Sequence, residues 1–154
     1  MSKKCRGRIL TTISCLVLLA GFAMTAVPLF GESITVAPFK INIKAQGQFE
    51  DVLVVIRMPL ASGYSLADYD VRMKFDGIEV SQAYAFRYCP IDDNFLASFD
   101  RMELQQNPDV IAMAGQTVTA VVEGWYTAIS ADGQTTIRKE FSGIDLVEIL
   151  NPGK

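Results

Sequence analysis

The stretch Val71–Val80, VRMKFDGIEV, decides the fold. Apolar and charged residues alternate up to Asp76-Gly77, so Val71, Met73 and Phe75 share one face of a strand and the charged residues share the other. Asp-Gly accepts the positive φ angles of a two-residue type I′ turn. The stretch therefore predicts a half-buried β-hairpin in an antiparallel sheet.

Strand patterns also precede this hairpin. Phe49–Met58 is apolar on both faces, which is typical of a central strand. Glu32–Lys44 reverses its phase at Ala37-Pro38, and this predicts a first strand that changes sheets at that point, since proline cannot donate to a ladder. Between these strands and the hairpin, Leu60–Tyr69 is expected to be a connection, with one helical turn at Leu66–Tyr69.

The pattern after the hairpin is again one of strands. The return strand is expected to continue through Cys89, and Asn94–Asp100 predicts another strand. Asp100 with Glu103 resembles a capping box, which predicts a short helix that Asn107-Pro108 stops or breaks.

The last third of the chain predicts three more strands. Thr117–Ile129 is the longest, with Gly124 expected at a bulge. Thr135–Phe141 follows, then a turn at Ser142-Gly143, then Ile144–Leu150. In total the sequence predicts an all-β fold, an antiparallel β-sandwich of seven or eight strands with one or two short helical turns.

Residues 1–31 are typical of a targeting segment. A basic cluster precedes the uncharged run from Ile9 to Gly31. A secretory signal peptide, cut after Ala23, would give this pattern. An uncleaved signal anchor would as well, because the run exceeds the ~20 residues that span a bilayer. Either alternative predicts a hydrophobic signal helix and an extracytoplasmic location, that is secreted, periplasmic or cell-surface, with the membrane touched only through this segment. Residues 32–150 then form a single domain, and residues 151–154 a tail.

The charge balance is acidic. The chain has 14 basic and 17 acidic residues, net −3, and four of the basic residues but none of the acidic ones lie in residues 1–31. The remainder therefore carries a net charge of −7. Such a domain repels nucleic acid, and no basic patch with interleaved aromatic residues is present, so a nucleic-acid partner is not expected.

The composition excludes several kinds of site. The chain contains no histidine and three cysteines, of which only Cys89 lies beyond residue 31. Histidine-dependent nucleophilic catalysis and histidine or cysteine zinc sites are therefore excluded, and no cofactor is predicted. If the signal is cut, Cys89 is either a buried thiol, the favoured alternative, or half of an intermolecular disulfide.

Two aromatic groups are candidate ligand-binding residues. Tyr84, Phe86 and Tyr88 alternate along one strand face, and Trp125 is followed by Tyr126. A flat row of exposed rings would stack on sugars. Aromatic residues at strand spacing are also what a packed core requires, and we expect the core for the stripe.

Acidic residues are the remaining candidates for chemistry. Asp92, Asp93 and Asn94 offer hard oxygen atoms for calcium, but the spaced pattern of a calcium loop is absent. A carboxylate-dependent hydrolase would need two acids across a cleft, drawn from Asp92, Asp93, Asp100 and Glu123. Loop acids and a helix cap explain the same residues.

Six motifs follow one another along the chain: FKINIKAQG at 39–47, Pro59 with Gly63-Tyr64, VRMKFDGIEV at 71–80, ASFDR at 97–101, Val118–Gly124, and FSGID at 141–145 with Val147 and Ile149. This ordered set resembles an unnamed immunoglobulin-like module of secreted and cell-surface bacterial and archaeal proteins. The module often sits beside dockerin-like repeats, and no such repeat follows Leu150. It often carries an aspartate-rich run before the ASFDR position, where this chain has YCPIDDNF, so inherited calcium binding is weakened.

The resemblance implies an immunoglobulin-like sandwich with a structural or interaction role and no catalytic residues. We therefore expect an exported, non-enzymatic protein whose partner is an extracellular protein or glycan. A carbohydrate-binding module that uses the aromatic residues is the alternative, and a carboxylate hydrolase is a weaker one.

Overall fold

The computed structural model describes residues 33–37, 40–42 and 51–151. The predicted targeting segment 1–31 and residues 152–154 of the predicted tail lie outside these ranges. Within the described ranges, none of the helices has the length and apolar character needed to cross a bilayer.

The described residues contain nine strands and two short helices. In chain order they are β1 Ser33–Ala37, β2 Lys40–Asn42, β3 Val52–Arg57, β4 Tyr64–Phe75, β5 Ile78–Gln82, β6 Ala85–Cys89, β7 Asn94–Phe99, α1 Arg101–Gln106, α2 Pro108–Ala112, β8 Thr117–Ser130 and β9 Thr136–Leu150.

The strands form two packed sheets. One sheet has four strands in the order β1-β3-β7-β6, and the other has five in the order β2-β9-β8-β4-β5. Their inner faces meet in one core of side chains from both sheets and from the two helices. The predicted all-β sandwich is therefore confirmed.

The first strand region changes sheets, as its phase reversal predicted. β1 pairs with β3 in the four-stranded sheet, whereas β2 pairs with β9 in the five-stranded sheet. The β2–β9 pair is parallel, so the expectation of a wholly antiparallel sandwich is corrected at this point.

The hairpin at Val71–Val80 is confirmed. β4 and β5 pair antiparallel, and Asp76 and Gly77 both have positive φ, 47° and 87°. The side chain of Asp76 also accepts a hydrogen bond from the backbone N–H of Thr119, at 2.9 Å, which ties the turn to β8. The return strand is shorter than expected, because the chain leaves β5 after Gln82 and starts β6 in the other sheet.

The predicted helical segment is confirmed as two short helices. Asp100 caps α1 by accepting from the backbone N–H of Met102 and Glu103. Asn107 ends α1 and caps α2, accepting from the backbone N–H of Asp109, and Pro108 occupies the first turn of α2. Leu104 and Val110 are the residues that each helix buries in the core.

Two local predictions of a turn or helix are wrong. Leu66–Tyr69 is part of the continuous strand β4, and Ser142-Gly143 lies inside β9. In both places, ladder hydrogen bonds to β8 hold the chain extended despite local turn and helix signals. The last two predicted strands form one strand, β9, whereas the first strand region and the return strand each form two. These three changes give nine strands where seven or eight were predicted.

The expected bulge at Gly124 is also absent. The pairing of β8 with both neighbours is regular there, and the register of β4 against β8 shifts between Leu66 and Asp68 instead. A Cβ atom on Gly124 would lie 2.1 Å from the backbone oxygen of Asp70. Glycine is therefore required at this position by the close approach of β4.

Candidate binding groove

The outer face of the five-stranded sheet carries the candidate site. β4, β8 and β9 form its centre, and alternation along each strand sends every second side chain outward. The register places Asp70 of β4 beside Trp125 of β8, and Trp125 beside Glu140 of β9. We call Asp70, Trp125 and Glu140 the Trp125 row.

A groove of about 1000 Å³ lies over this row. Its walls include residues of β4, β5, β8 and β9, and Ser33 at the start of β1 reaches its border. The volume is in the range of small-molecule and peptide-segment sites.

Ion pairs on β4 organise one side of the groove. The Arg72 guanidinium contacts the Asp70 carboxylate through two nitrogen atoms, at 3.1 and 3.0 Å, and it reaches Glu79 of β5 at 3.2 Å. Lys74 pairs with Glu123 of β8 at 2.5 Å. These cations are therefore held by the protein's own carboxylates.

The same contacts change the titration of Asp70. The hydrogen bond from Arg72 lowers the pKa of Asp70 below its usual value, with a smaller opposing contribution from desolvation. The Asp70 carboxylate also accepts from Gln82, at 3.1 Å. It is thus a fixed negative charge at one end of the Trp125 row.

Trp125 carries a cation on its ring. The guanidinium carbon of Arg138 in β9 lies 4.1 Å from the ring centroid. The ring is half-buried and lines the groove. Its π-face therefore accepts a guanidinium in this geometry.

Two exposed apolar side chains lie along β9 beyond the Trp125 row. Ile144 is 66% exposed and Leu146 is 61% exposed, and both point outward, as Glu140 does. Ile144 lines the groove. Ile144 therefore adds an exposed apolar side chain to a groove that is otherwise lined largely by charged residues.

The structure separates the aromatic candidates into buried and exposed residues. Phe86 is 5% exposed and Tyr126 is 1% exposed, so both belong to the core. Phe86 stacks on Phe95 of its own sheet and on Phe141 of the other, with ring centroids 4.9 and 5.8 Å apart. The exposed row of three rings that a sugar platform on β6 would require is therefore not formed, because its central ring faces inward.

The two tyrosines of that stripe are held by neighbouring acids. Tyr84 is 56% exposed and donates to Asp51, while the half-buried Tyr88 donates to Asp93. Each hydrogen bond to a carboxylate raises the pKa of the tyrosine hydroxyl above its usual value. These hydroxyls are therefore engaged within the domain.

The acidic candidates lie apart from one another. Asp92 and Asp93 lie in the exposed β6–β7 loop, Asn94 begins β7, and Asp100 serves as the cap of α1. Glu123 is the one that lies in the groove. Among the described residues, no three Asp, Glu or Cys side chains come together in a way that could hold a metal ion.

Cys89 is half-buried at the end of β6. Its thiol is free and lies 3.6 Å from a carboxylate oxygen of Asp92. The favoured expectation of a buried thiol is therefore wrong, because β6 is the outer strand of its sheet and its last residue lies beside an exposed loop.

Sequence reasoning missed most of the groove. It named Trp125 and Glu123 as candidates but not Asp70, Arg72 or Glu140, nor Arg138 over the Trp125 ring. Alternation in β4 did place Arg72 and Lys74 on the face opposite Val71. No pattern in the sequence predicts the pairing order that places β4, β8 and β9 side by side.

No protein-family model, curated protein or solved structure matches the chain.

Proposed function

We propose that this protein is an exported, non-enzymatic interaction module and that the groove over the Trp125 row is its binding surface. The observation that carries the proposal is a half-buried tryptophan in a groove of about 1000 Å³ between charged side chains, with exposed Ile144 at its border. Tryptophan and arginine are enriched in the parts of protein surfaces that dominate binding.

We also propose that the sandwich is immunoglobulin-like and related to the secreted module that the motifs resemble. Labelled from A onward, the sheet orders become A-B-E-D and A′-G-F-C-C′. Immunoglobulin domains place A, B, E and D in one sheet and C, F and G in the other, with C′ added in variable-type domains. The division of the first strand between the two sheets supports the same assignment.

The location rests on the sequence of residues 1–31. A basic cluster followed by an uncharged apolar run is typical of an export signal.

Ion pairing in the groove favours binding over catalysis. Asp70, Glu79 and Glu123 each pair with Arg72 or Lys74. A general acid needs a raised pKa, whereas Arg72 lowers the pKa of Asp70. These carboxylates suit fixed charge complementarity better than proton transfer.

Site-specific photo-crosslinking in the native host tests the proposal. A photoreactive residue at Ser142, which lines the groove, should crosslink a defined protein partner, identified by mass spectrometry. The same residue at Ile91, which is 91% exposed and lies in the β6–β7 loop, is the matched control. Equal adducts at both positions, or none at Ser142, would reject the groove as the interaction surface.

A carbohydrate-binding module is the second candidate. Trp125 lines a groove with several carboxylates, and sugars are bound by an aromatic face together with polar side chains. Binding on a glycan array that disappears in Trp125→Ala would establish this alternative. A blank array, with groove crosslinks to protein, would exclude it.

A further inference from the structure

The Trp125 row has the composition of a cation-binding site. Asp70 and Glu140 are the direct cross-strand neighbours of Trp125, one on each side. Neighbouring strands lie about 4.8 Å apart, so the Asp70 and Glu140 side chains leave the sheet on either side of Trp125. A guanidinium over the ring would gain from the ring's π-face and from the Glu140 charge, and less from Asp70, which already pairs with Arg72.

The protein already places one guanidinium on this ring. Arg138 lies 4.1 Å from the centroid and makes no ion pair with any described residue. It is an exposed residue. Such a contact is weak, of the order of 0.5–1 kcal/mol, so a ligand of similar chemistry can displace it.

The remaining charges of the groove favour a cationic ligand. Four carboxylates line it, from Asp70, Glu79, Glu123 and Glu140, against Arg72 and Lys74, and Arg138 on the Trp125 ring adds a third cation. Glu140 has no ion pair with any described residue. The chain beyond residue 31 carries a net charge of −7, so long-range attraction acts in the same direction.

We infer that the groove binds a basic, extended segment of a partner protein, with an arginine side chain on the Trp125 ring between Asp70 and Glu140. Arg138 occupies this position on the Trp125 ring in the unbound protein and is displaced from it when the arginine of the partner protein binds. The inference rests on the proposed function, because it names the chemistry of the ligand for the same groove.

Titration with synthetic peptides tests this directly. Trp125 is the only tryptophan, so its fluorescence reports the ring alone. An extended eight-residue peptide with alternating arginine and serine should change this fluorescence and bind by calorimetry. The matching glutamate–serine peptide should do neither, and binding should weaken as salt is raised from 50 to 300 mM. Equal binding of both peptides would overturn the inference.

Two pairs of variants test whether the arginine of the peptide binds on the Trp125 ring beside Glu140. Glu140→Gln should weaken arginine-peptide binding about threefold or more, whereas Asp109→Asn, the same charge change on α2, should leave it unchanged. Arg138→Gln should tighten binding about threefold, since the ring is vacated, and more than Lys139→Gln, which removes the same charge from the next residue. Equal gains from Arg138→Gln and Lys139→Gln would overturn the competition for the ring.

The outcomes separate this inference from the proposed function. If the arginine peptide does not bind while Ser142 still crosslinks a protein, the ligand chemistry is wrong and the interaction surface stands. If both experiments are negative, both proposals fall. Circular dichroism of each variant, compared with the parent, verifies that the fold is retained.

Discussion

β6 and β8 both carry aromatic residues, but the two strands use them oppositely. Phe86 of β6 faces inward and stacks against Phe95 and Phe141, so it joins the two sheets. Trp125 of β8 faces outward into a charged groove and holds Arg138 on its ring. Phe86, the central ring of the aromatic stripe considered as a sugar platform, therefore belongs to the core, whereas Trp125 lies at the candidate surface site.

The difference shows what an alternating pattern leaves undecided. Alternation states which side chains share a face, but not which face is turned toward the second sheet. β6 is an outer strand of the four-stranded sheet, and it fills its inner face with large rings. β8 lies inside the five-stranded sheet, and its Val122 and Tyr126 side chains face the core. Because side chains alternate along a strand, Trp125 faces outward.

The largest expected effect comes from removing the inward ring. Phe86→Ala should lower the free energy of unfolding by about 3–5 kcal/mol, because it leaves a cavity between the two sheets. Urea denaturation followed by circular dichroism measures this loss. Tyr84→Ala, at the exposed position two residues away, is the control and should cost far less. Similar losses for both variants would contradict the difference between the two rings of the stripe.

Gly124→Ala should have the next largest effect. The new methyl group would lie 2.1 Å from the backbone oxygen of Asp70, so β4 and β8 must move apart beside the Trp125 row. We expect a loss of about 1–3 kcal/mol by thermal denaturation, together with a changed Trp125 fluorescence. Thr127→Ala on the same strand is the control. An unperturbed Gly124→Ala protein would mean that the two strands are not in this close contact.

The outward ring should contribute much less to stability than the inward one. A double-mutant cycle with Trp125→Leu and Arg138→Gln should give a coupling free energy of about 0.5–1 kcal/mol. Urea denaturation of the parent, both single variants and the double variant supplies the four values. Additive losses would show that Arg138 gains nothing from the ring.

The smallest effect is the pH dependence of the groove. Arg72 lowers the pKa of Asp70 in the folded protein, whereas an unfolded aspartate titrates near ~3.9. The Asp70–Arg72 contact therefore stabilises the fold fully above pH ~4, and its contribution is lost as pH falls through the lowered value.

Asp70→Asn removes this titration. Its free energy of unfolding should fall less steeply below pH 4 than that of the parent, and the difference should shrink in 0.5 M salt because the pair is partly exposed. Parallel pH profiles for the two proteins would contradict a lowered Asp70 pKa.

Local signals with strong stereochemical causes predicted their elements correctly. Asp76-Gly77 makes the predicted hairpin turn because both residues must adopt positive φ, and Asp100 caps α1 because its carboxylate reaches the first free backbone N–H groups. Weak signals failed at Leu66–Tyr69 and at Ser142-Gly143. There, pairing with β8 outweighs the local preference of small and polar residues.

The sequence by itself determined the β-sandwich class, the sheet change after Ala37, the capped helix at Asp100 and the exclusion of histidine chemistry. These depend on composition, on backbone stereochemistry and on period-two alternation, which are properties of neighbouring residues. Only the tertiary structure decided that Asp70, Trp125 and Glu140 form one row. They lie 55 and 15 residues apart along the chain, and ladder hydrogen bonds between three strands are what bring them together.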